Sequence, residues 1–352
     1  MNNYAINSLT KKVKLARLLH DKGVSFNQKT KLTPFKFKRV LTHNFKEIKM
    51  QRRKTIVMTA VCCLLVLLVS TGCSKKETKE KIAIDSNSPY ATATALTGGV
   101  LRVGMECAYA PFNWTQSSPD VAKEGWTAEP IYGTPDYGFG YDVMFAKKIA
   151  DELGWSLEIH KVQWSSIILG LKTKEYDTII GGMIYSEKRD QTLDFTRAYY
   201  NRDNVMVIKK GGKYENATTL NDFTGCRATT QINTNWPEYV SQIPDVKIIP
   251  YPESTAEVVM QVAMNNVDCA VLDYPTGFSA TLSNPDVSII RFEKGKGFKT
   301  PEGASEACSV AVDEGNTVLR DAISLAMDSI DWQQEDMDEY MDLAIQLQPL
   351  SE

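Results

Sequence analysis

The sequence predicts an α/β fold of two lobes, each a mainly parallel sheet flanked by helices. Three observations lead there. Short apolar strands alternate with helical periodicities over 99–203, the same rhythm restarts at Asn204, and 303–352 closes with a strand and two amphipathic helices. A strand–helix–strand rhythm is what a parallel sheet with crossover helices requires. The part from Gly99 onward is about 250 residues long, enough for two lobes of ordinary size.

The chain ahead of those lobes is organised differently. Residues 1–49 carry twelve Lys/Arg against Asp21 and Glu47 and hold no apolar run long enough for a core. Met50 opens a new order: Arg52-Arg53-Lys54, fourteen residues from Ile56 to Val69 with Thr59 alone polar, then Ser70-Thr71-Gly72-Cys73. A positive start, a short apolar stretch and small residues at the cut describe a secretory signal over 50–72. That stretch is shorter than the ~20 residues needed to cross a bilayer, which weighs against a stop-transfer anchor. A cysteine directly after Thr-Gly is similar to the bacterial lipobox, which implies lipidation of Cys73, although Ser70 stands where Leu or Val is usual. Residues 1–49 are then expected to precede a true start at Met50, or to form a charged, disordered cytoplasmic prefix. Residues 73–98, rich in Lys, Glu, Ser, Thr and Ala, read as a lipidated, solvated tether.

Composition narrows the function classes. From Ser74 onward 25 Lys/Arg face 41 Asp/Glu, a net of −16. Such a surface favours solubility and disfavours nucleic acid and anionic membranes. The basic arm has no aromatic patterning that would suit a nucleic-acid partner. Beyond the signal the cysteines are Cys107, Cys226, Cys269 and Cys308, which allow three pairings with none selected by sequence. Their spacings match no zinc pattern, and no cofactor is expected.

Lobe one is assigned to 99–203. An alternating strand runs from Gly99 to Glu106, and an irregular insert with Pro119, Pro130 and Pro135 fills 115–137. Val143, Ala146, Ile149, Ala150 and Leu153 recur at helical spacing, with Asp142 as the expected start cap and Gly154 as the stop. A strand over Leu157–Val162 leads to Trp164, and Ser165–Lys172 reads as a helix. The next strand, Tyr176–Ile180, runs into Gly181-Gly182-Met183-Ile184-Tyr185-Ser186-Glu187-Lys188-Arg189. Two glycines permit close backbone approach, Ser186 is a good N-cap, and Arg189 offers a planar fork. Strand end, helix start and guanidinium together suit a small carboxylate.

Lobe two is assigned to 204–302, with 303–352 returning to lobe one. Strands are expected at 205–208, 225–228, 267–273 and 287–292, and Ser254-Thr255-Ala256-Glu257 is a capping box. Asp177 and Asp268 introduce corresponding strands in the two lobes. Strands at 205–208 and 309–312 are expected to cross between lobes as a hinge, which places a ligand in the cleft at the strand ends.

These segments resemble the family 3 extracellular solute-binding proteins, the amino-acid receptors of ATP-driven importers, over about 99–350. The anchor segment of that family is similar to Gly181–Arg189 followed by Asp194-Phe195-Thr196 and Tyr199-Tyr200, with Ile184 where a hydroxyl is frequent. Gly138-Phe139-Gly140-Tyr141-Asp142-Val143 resembles a second signature, with Met144 in place of an acid. The resemblance implies a two-lobed periplasmic-binding-protein-like fold of type II. It also implies that Arg189, Ser186 and Thr234 meet the ligand carboxylate, with Gly182 beside them and Asn233 in a glycine's place. Asp273 is implied as the partner of the ligand ammonium, and Glu106, Tyr109 and Trp164 as neighbours of its side chain.

Enzyme readings find little support. The body holds one histidine, His160, within a strand, and no triad pattern accompanies it. No phosphate-cradling GxxxxGK[ST] and no HExxH occurs. The expected function is capture of a free, polar amino acid and its delivery to the transmembrane subunits and ATPase of an importer. The protein is expected to be a monomer, outside the cytoplasm, anchored through lipid on Cys73. A ligand-sensing surface lipoprotein and a dehydratase-like enzyme on the same scaffold are the alternatives.

Overall fold

The computed structural model describes residues 85–349; Cys73 and the signal segment lie outside the described residues. The first element is a helix, α1 (Ala91–Thr97), ended by Gly98 in the left-handed region. Its Ala93, Thr94 and Thr97 are buried, and the Trp155 indole donates to Thr94 Oγ1 at 2.9 Å. The solvated stretch expected to reach Gly98 therefore stops earlier. Small residues following Tyr90 pack this turn onto the lobe.

Strand β1 (Val100–Met105) starts the first sheet, and β2 (Ala108–Tyr109) and β3 (Asn113–Gln116) follow. With β4 (Glu129–Pro130) and β5 (Tyr137–Phe139) these make a small antiparallel sheet in the order β2-β3-β5-β4. The insert expected to be irregular thus takes in the end of β3, all of β4 and the start of β5. Trp126 fixes it, edge-on to Phe139 at 6.3 Å and to Tyr340 at 5.4 Å.

Helix α2 (Tyr141–Leu153) ends at Gly154, φ 70°, as the sequence predicts. Its start differs from expectation. Gly140 is the N-cap, and Asp142 is wholly buried, accepting from Tyr199 Oη at 2.6 Å and from Asn113 Nδ2 at 2.7 Å. The carboxylate therefore organises the interior and does not cap a helix.

Strand β6 (Ser156–Lys161), helix α3 (Ile167–Lys172) and strand β7 (Thr178–Ile179) complete the parallel part of lobe one, with β1 between β6 and β7. Next come β8 (Ile184–Ser186), the single-turn α4 (Glu187–Asp190) and β9 (Leu193–Asn201).

Lobe two begins at β10 (Asn204–Lys209) and continues through β11 (Arg227–Thr229), α5 (Trp236–Val240) and β12 (Lys247–Ile248). Helix α6 (Thr255–Ala263) starts at the expected Ser254–Glu257 capping box. Strand β13 (Cys269–Asp273) runs directly into α7 (Tyr274–Ser283), and β14 (Val287–Ile290) ends the sheet. Its order is β12-β11-β13-β10-β14, parallel up to β13 and antiparallel beyond. Cys226 and Cys269 are buried thiols with their sulfurs 3.4 Å apart.

The chain returns along β15 (Ala304–Asp313), which joins the first sheet antiparallel to β7, β8 and β9. Each lobe is therefore a mixed sheet, because a strand arriving from the other lobe enters against the parallel direction. Helices α8 (Thr317–Ser329) and α9 (Gln334–Leu347) pack on lobe one. Trp332 between them lies 5.1 Å from Phe145 and donates to the Tyr199 carbonyl at 3.0 Å. The crossings fall at 202–204 and 303–306, where Arg202 N donates to Glu306 O at 3.1 Å. The expected hinge segments 205–208 and 309–312 sit instead inside the two sheets.

Candidate ligand-binding cleft

A narrow cavity of about 10 Å³ lies between the lobes, at the ends of β1 and β7 on one side and β11 on the other. That is about the room one water molecule needs, so the two walls lie nearly against each other in this structure.

Its first wall is the anchor segment. Ser186 Oγ accepts the Arg189 N–H at 3.3 Å, so Ser186 caps α4 and is not itself part of the cavity wall. Arg189 projects inward, its Nη1 donating to Ile184 O at 2.9 Å and its Nη2 to Asn233 O at 3.3 Å. The Trp164 ring lies 5.7 Å from this guanidinium, and its indole also donates to Asn233 O, at 3.1 Å. Part of the residue's surface meets solvent, yet burial of the guanidinium, with Arg202 nearby, lowers its pKa to about 10. It remains a cation at neutral pH.

Gly182 adopts φ 64°, and a Cβ there would meet Tyr109 Cε1 at 2.5 Å. The backbone thus approaches the aromatic wall as only glycine allows. Gly182 N donates to Tyr199 Oη at 2.8 Å, and Tyr199 Oη donates to Asp142. The buried Asp142 therefore holds the anchor loop through one tyrosine. Burial raises its pKa to about 6, against the lowering effect of Tyr199 and Asn113.

The second wall comes from lobe two. Asn233 has φ 59°, the left-handed turn that its place in the sequence predicts. Thr234 borders the cavity, but its hydroxyl donates to Gln231 O at 2.8 Å. Gln231 Nε2 reaches across to Glu106 Oε1 at 3.0 Å and also donates to Glu253 O at 2.7 Å. Burial pushes the Glu106 pKa up to about 8, opposed by the Gln231 hydrogen bond and assisted by Glu253 and Asp142.

Tyr109 stacks on Phe112 with centroids 4.7 Å apart and donates to Asp273 Oδ2 at 2.5 Å. Asp273 is fully buried and caps α7, its Oδ1 accepting from Thr276 N at 2.9 Å. It sits behind Tyr109 and does not border the cavity. The structure thus brings Glu106, Tyr109, Trp164, Gly182, Arg189 and Thr234 together and sets Ser186 and Asp273 behind them.

Sequence reasoning missed Arg202, Gln231, Asn235 and Trp236, which also border the cavity. Arg202 stood at the lobe junction after Tyr199-Tyr200, where an arginine destined for the interior carries no local mark. Gln231, two residues beyond β11, bears no local mark of its reach across the cleft to Glu106.

The fold and cleft define a two-lobed solute-binding architecture with its cavity between sheet ends. The chain belongs to the bacterial extracellular solute-binding proteins, family 3, whose family model matches residues 101–340. The arginine-binding extracellular protein ArtP of Bacillus subtilis is 24% identical over 220 residues, covering 60% of this chain and 72% of ArtP. An amino acid ABC transporter substrate-binding protein from Streptococcus pneumoniae, bound to L-arginine, superposes with a TM-score of 0.61 at 20% identity, covering 74% of this chain and 99% of that one. The ancestral amino-acid-binding protein AncCDT-1, a precursor of cyclohexadienyl dehydratase, gives 0.55 at 20% identity, covering 72% and 98%.

Proposed function

We propose that the protein captures a free, polar amino acid outside the cytoplasm and delivers it to the transmembrane subunits and ATPase of an ABC importer. The observation that carries this reading is Arg189, a cavity-lining guanidinium whose hydrogen bonds, among the described residues, go to backbone carbonyls. A ligand carboxylate gives such a fork two charge-assisted acceptors in place of neutral ones. The arginine-binding and amino-acid-binding relatives support the same class of ligand. The protein acts as a receptor and not as an enzyme, as a monomer tethered to the membrane by lipid on Cys73.

Titration calorimetry with the free amino acids tests the first part, with heat and 1:1 stoichiometry expected for at least one of them. Absence of binding across the set overturns it. Glu106, protonated up to about pH 8, is the one group in the cleft suited to acid catalysis. Mass spectrometry of the ligand recovered after incubation is expected to return it unaltered. Intact-mass analysis of the membrane fraction is expected to find a chain beginning at diacylated Cys73. A chain retaining residues 50–72 counts against the tether.

A further inference from the structure

Two arginines border the cleft, and only one is needed for a single carboxylate. Arg202 enters from the crossing between β9 and β10, its side chain 4% exposed, with its guanidinium 4.9 Å from the Trp236 ring. Its Nη2 donates to Asn235 Oδ1 at 2.9 Å and its Nη1 to Tyr109 Oη at 3.4 Å. Among the described residues its Nε has no hydrogen-bond partner, and neither does Asn235 Nδ2. Both residues border the cavity that Arg189 enters. A buried donor left unpaired costs the desolvation of that group, so two such donors on residues already bonded to each other call for an acceptor.

The charges around them point the same way. Asp273 lies 3.9 Å from Arg202, a long ion pair, while among the described residues the hydrogen bonds of Arg189 go to carbonyl oxygens and its guanidinium faces the Trp164 ring. Burial raises the Glu106 pKa to about 8, so this carboxyl is mostly neutral at pH 7 and adds little negative charge to the cavity. The carboxylates of Asp273 and Glu306 favour the charged form of Arg202 against the effect of burial. Two cations share one small space, and a zwitterion with a neutral side chain supplies only one anionic group.

We propose that Arg202 and Asn235 form a second anion subsite, so that the preferred ligand is an amino acid with a negatively charged side chain, such as a dicarboxylic amino acid. This rests on the reading of the cleft as an amino-acid site. Calorimetry at pH 7 with aspartate, glutamate, asparagine, glutamine and arginine tests it on the unaltered protein. An acidic ligand is expected to bind at least about tenfold more tightly than its amide, the scale of one hydrogen bond to a charged group.

Arg202→Gln, checked for folding by its melting curve, is expected to erase that preference by weakening the acid at least about tenfold and the amide under about threefold. Asn235→Ala is expected to act in the same direction and less strongly. If asparagine, glutamine or arginine binds as tightly as the acidic ligands, the second subsite is wrong while the amino-acid reading stands. If none of the five binds and no other amino acid does, both fall.

Discussion

Gln231 of lobe two donates to the Glu106 carboxyl of lobe one at 3.0 Å, which ties the two walls of the cleft together through a group that burial keeps protonated. The titration of Glu106 has a calculable sign. Its pKa rises from the ordinary 4.5 to about 8 on folding, so the folded state binds the extra proton between those values. The advantage is fully present below about pH 4.5 and is lost as pH rises to about 8. Glu106→Gln keeps the size and removes the titration. The variant is expected to gain stability relative to wild type between pH 5 and pH 8, by roughly 2–4 kcal/mol at most. Melting temperatures over that range measure it; parallel curves for the two proteins argue against a raised Glu106.

Gly182 carries a second prediction. Alanine there must hold φ near 64° and place its Cβ 2.5 Å from Tyr109 Cε1, which displaces the ring bonded to Asp273. Gly182→Ala is expected to lose about 1–3 kcal/mol of stability from backbone strain, and at least about tenfold in ligand affinity. Gly154 is the control. It has φ 70° with nothing within 4 Å of an added Cβ, so Gly154→Ala pays the strain alone and binds normally. Equal loss of affinity in both variants contradicts the local account.

The sequence revealed much of this arrangement, and its failures have physical causes. Helix α2, the Ser254–Glu257 box, the Asn233 turn and the Ser186 cap were legible because each rests on residues adjacent in sequence. Asp142 was misread for the same reason: near a helix start an aspartate looks like a cap, and its bond to Tyr199 spans 57 positions. Helix α7 went unseen because Asp273 reads as a strand end, while it serves also as the N-cap of Tyr274–Ser283. In the 115–137 insert, strands of two and three residues give too short an alternation to register as strands. The two lobes and their order were readable from periodicity, whereas the depth of Arg202 depended on packing that periodicity does not carry.

A hydrogen bond outside the cavity joins the two lobes. Ser165 N of lobe one donates to Glu253 Oε1 of lobe two at 2.8 Å. Glu253→Ala removes it and leaves both cavity walls in place. A hydrogen bond of this kind contributes about 0.5–1.5 kcal/mol, so affinity is expected to fall roughly two- to tenfold through the closed population. X-ray scattering of wild type is expected to give a smaller radius of gyration with ligand than without, and the variant a larger value than wild type when free. An identical profile for wild type with and without ligand counts against closure about 202–204 and 303–306.

Arg189 and Asp273 differ in place, the first lining the cavity and the second lying behind Tyr109. Arg189 lies in the cavity with neutral acceptors only, so Arg189→Ala removes the cation without stranding a buried carboxylate partner. The bound ligand then loses its charge-assisted contact, at roughly 2–5 kcal/mol, or about thirtyfold to several-thousandfold in affinity. Folding is expected to survive, since among the described contacts the side chain's hydrogen bonds go to two carbonyl oxygens. Asp273 is different. It caps α7, accepts from Tyr109 and lies 3.9 Å from Arg202, so its removal strands a buried cation. Asp273→Ala is expected to lower the melting temperature markedly as well as affinity, because loss of one member of a buried pair costs several kcal/mol. Calorimetry paired with thermal melts distinguishes the two. If Arg189→Ala binds the best ligand as tightly as wild type, the anchor is misassigned. If Asp273→Ala loses affinity with an unchanged melting temperature, Asp273 meets the ligand directly and the supporting role is wrong.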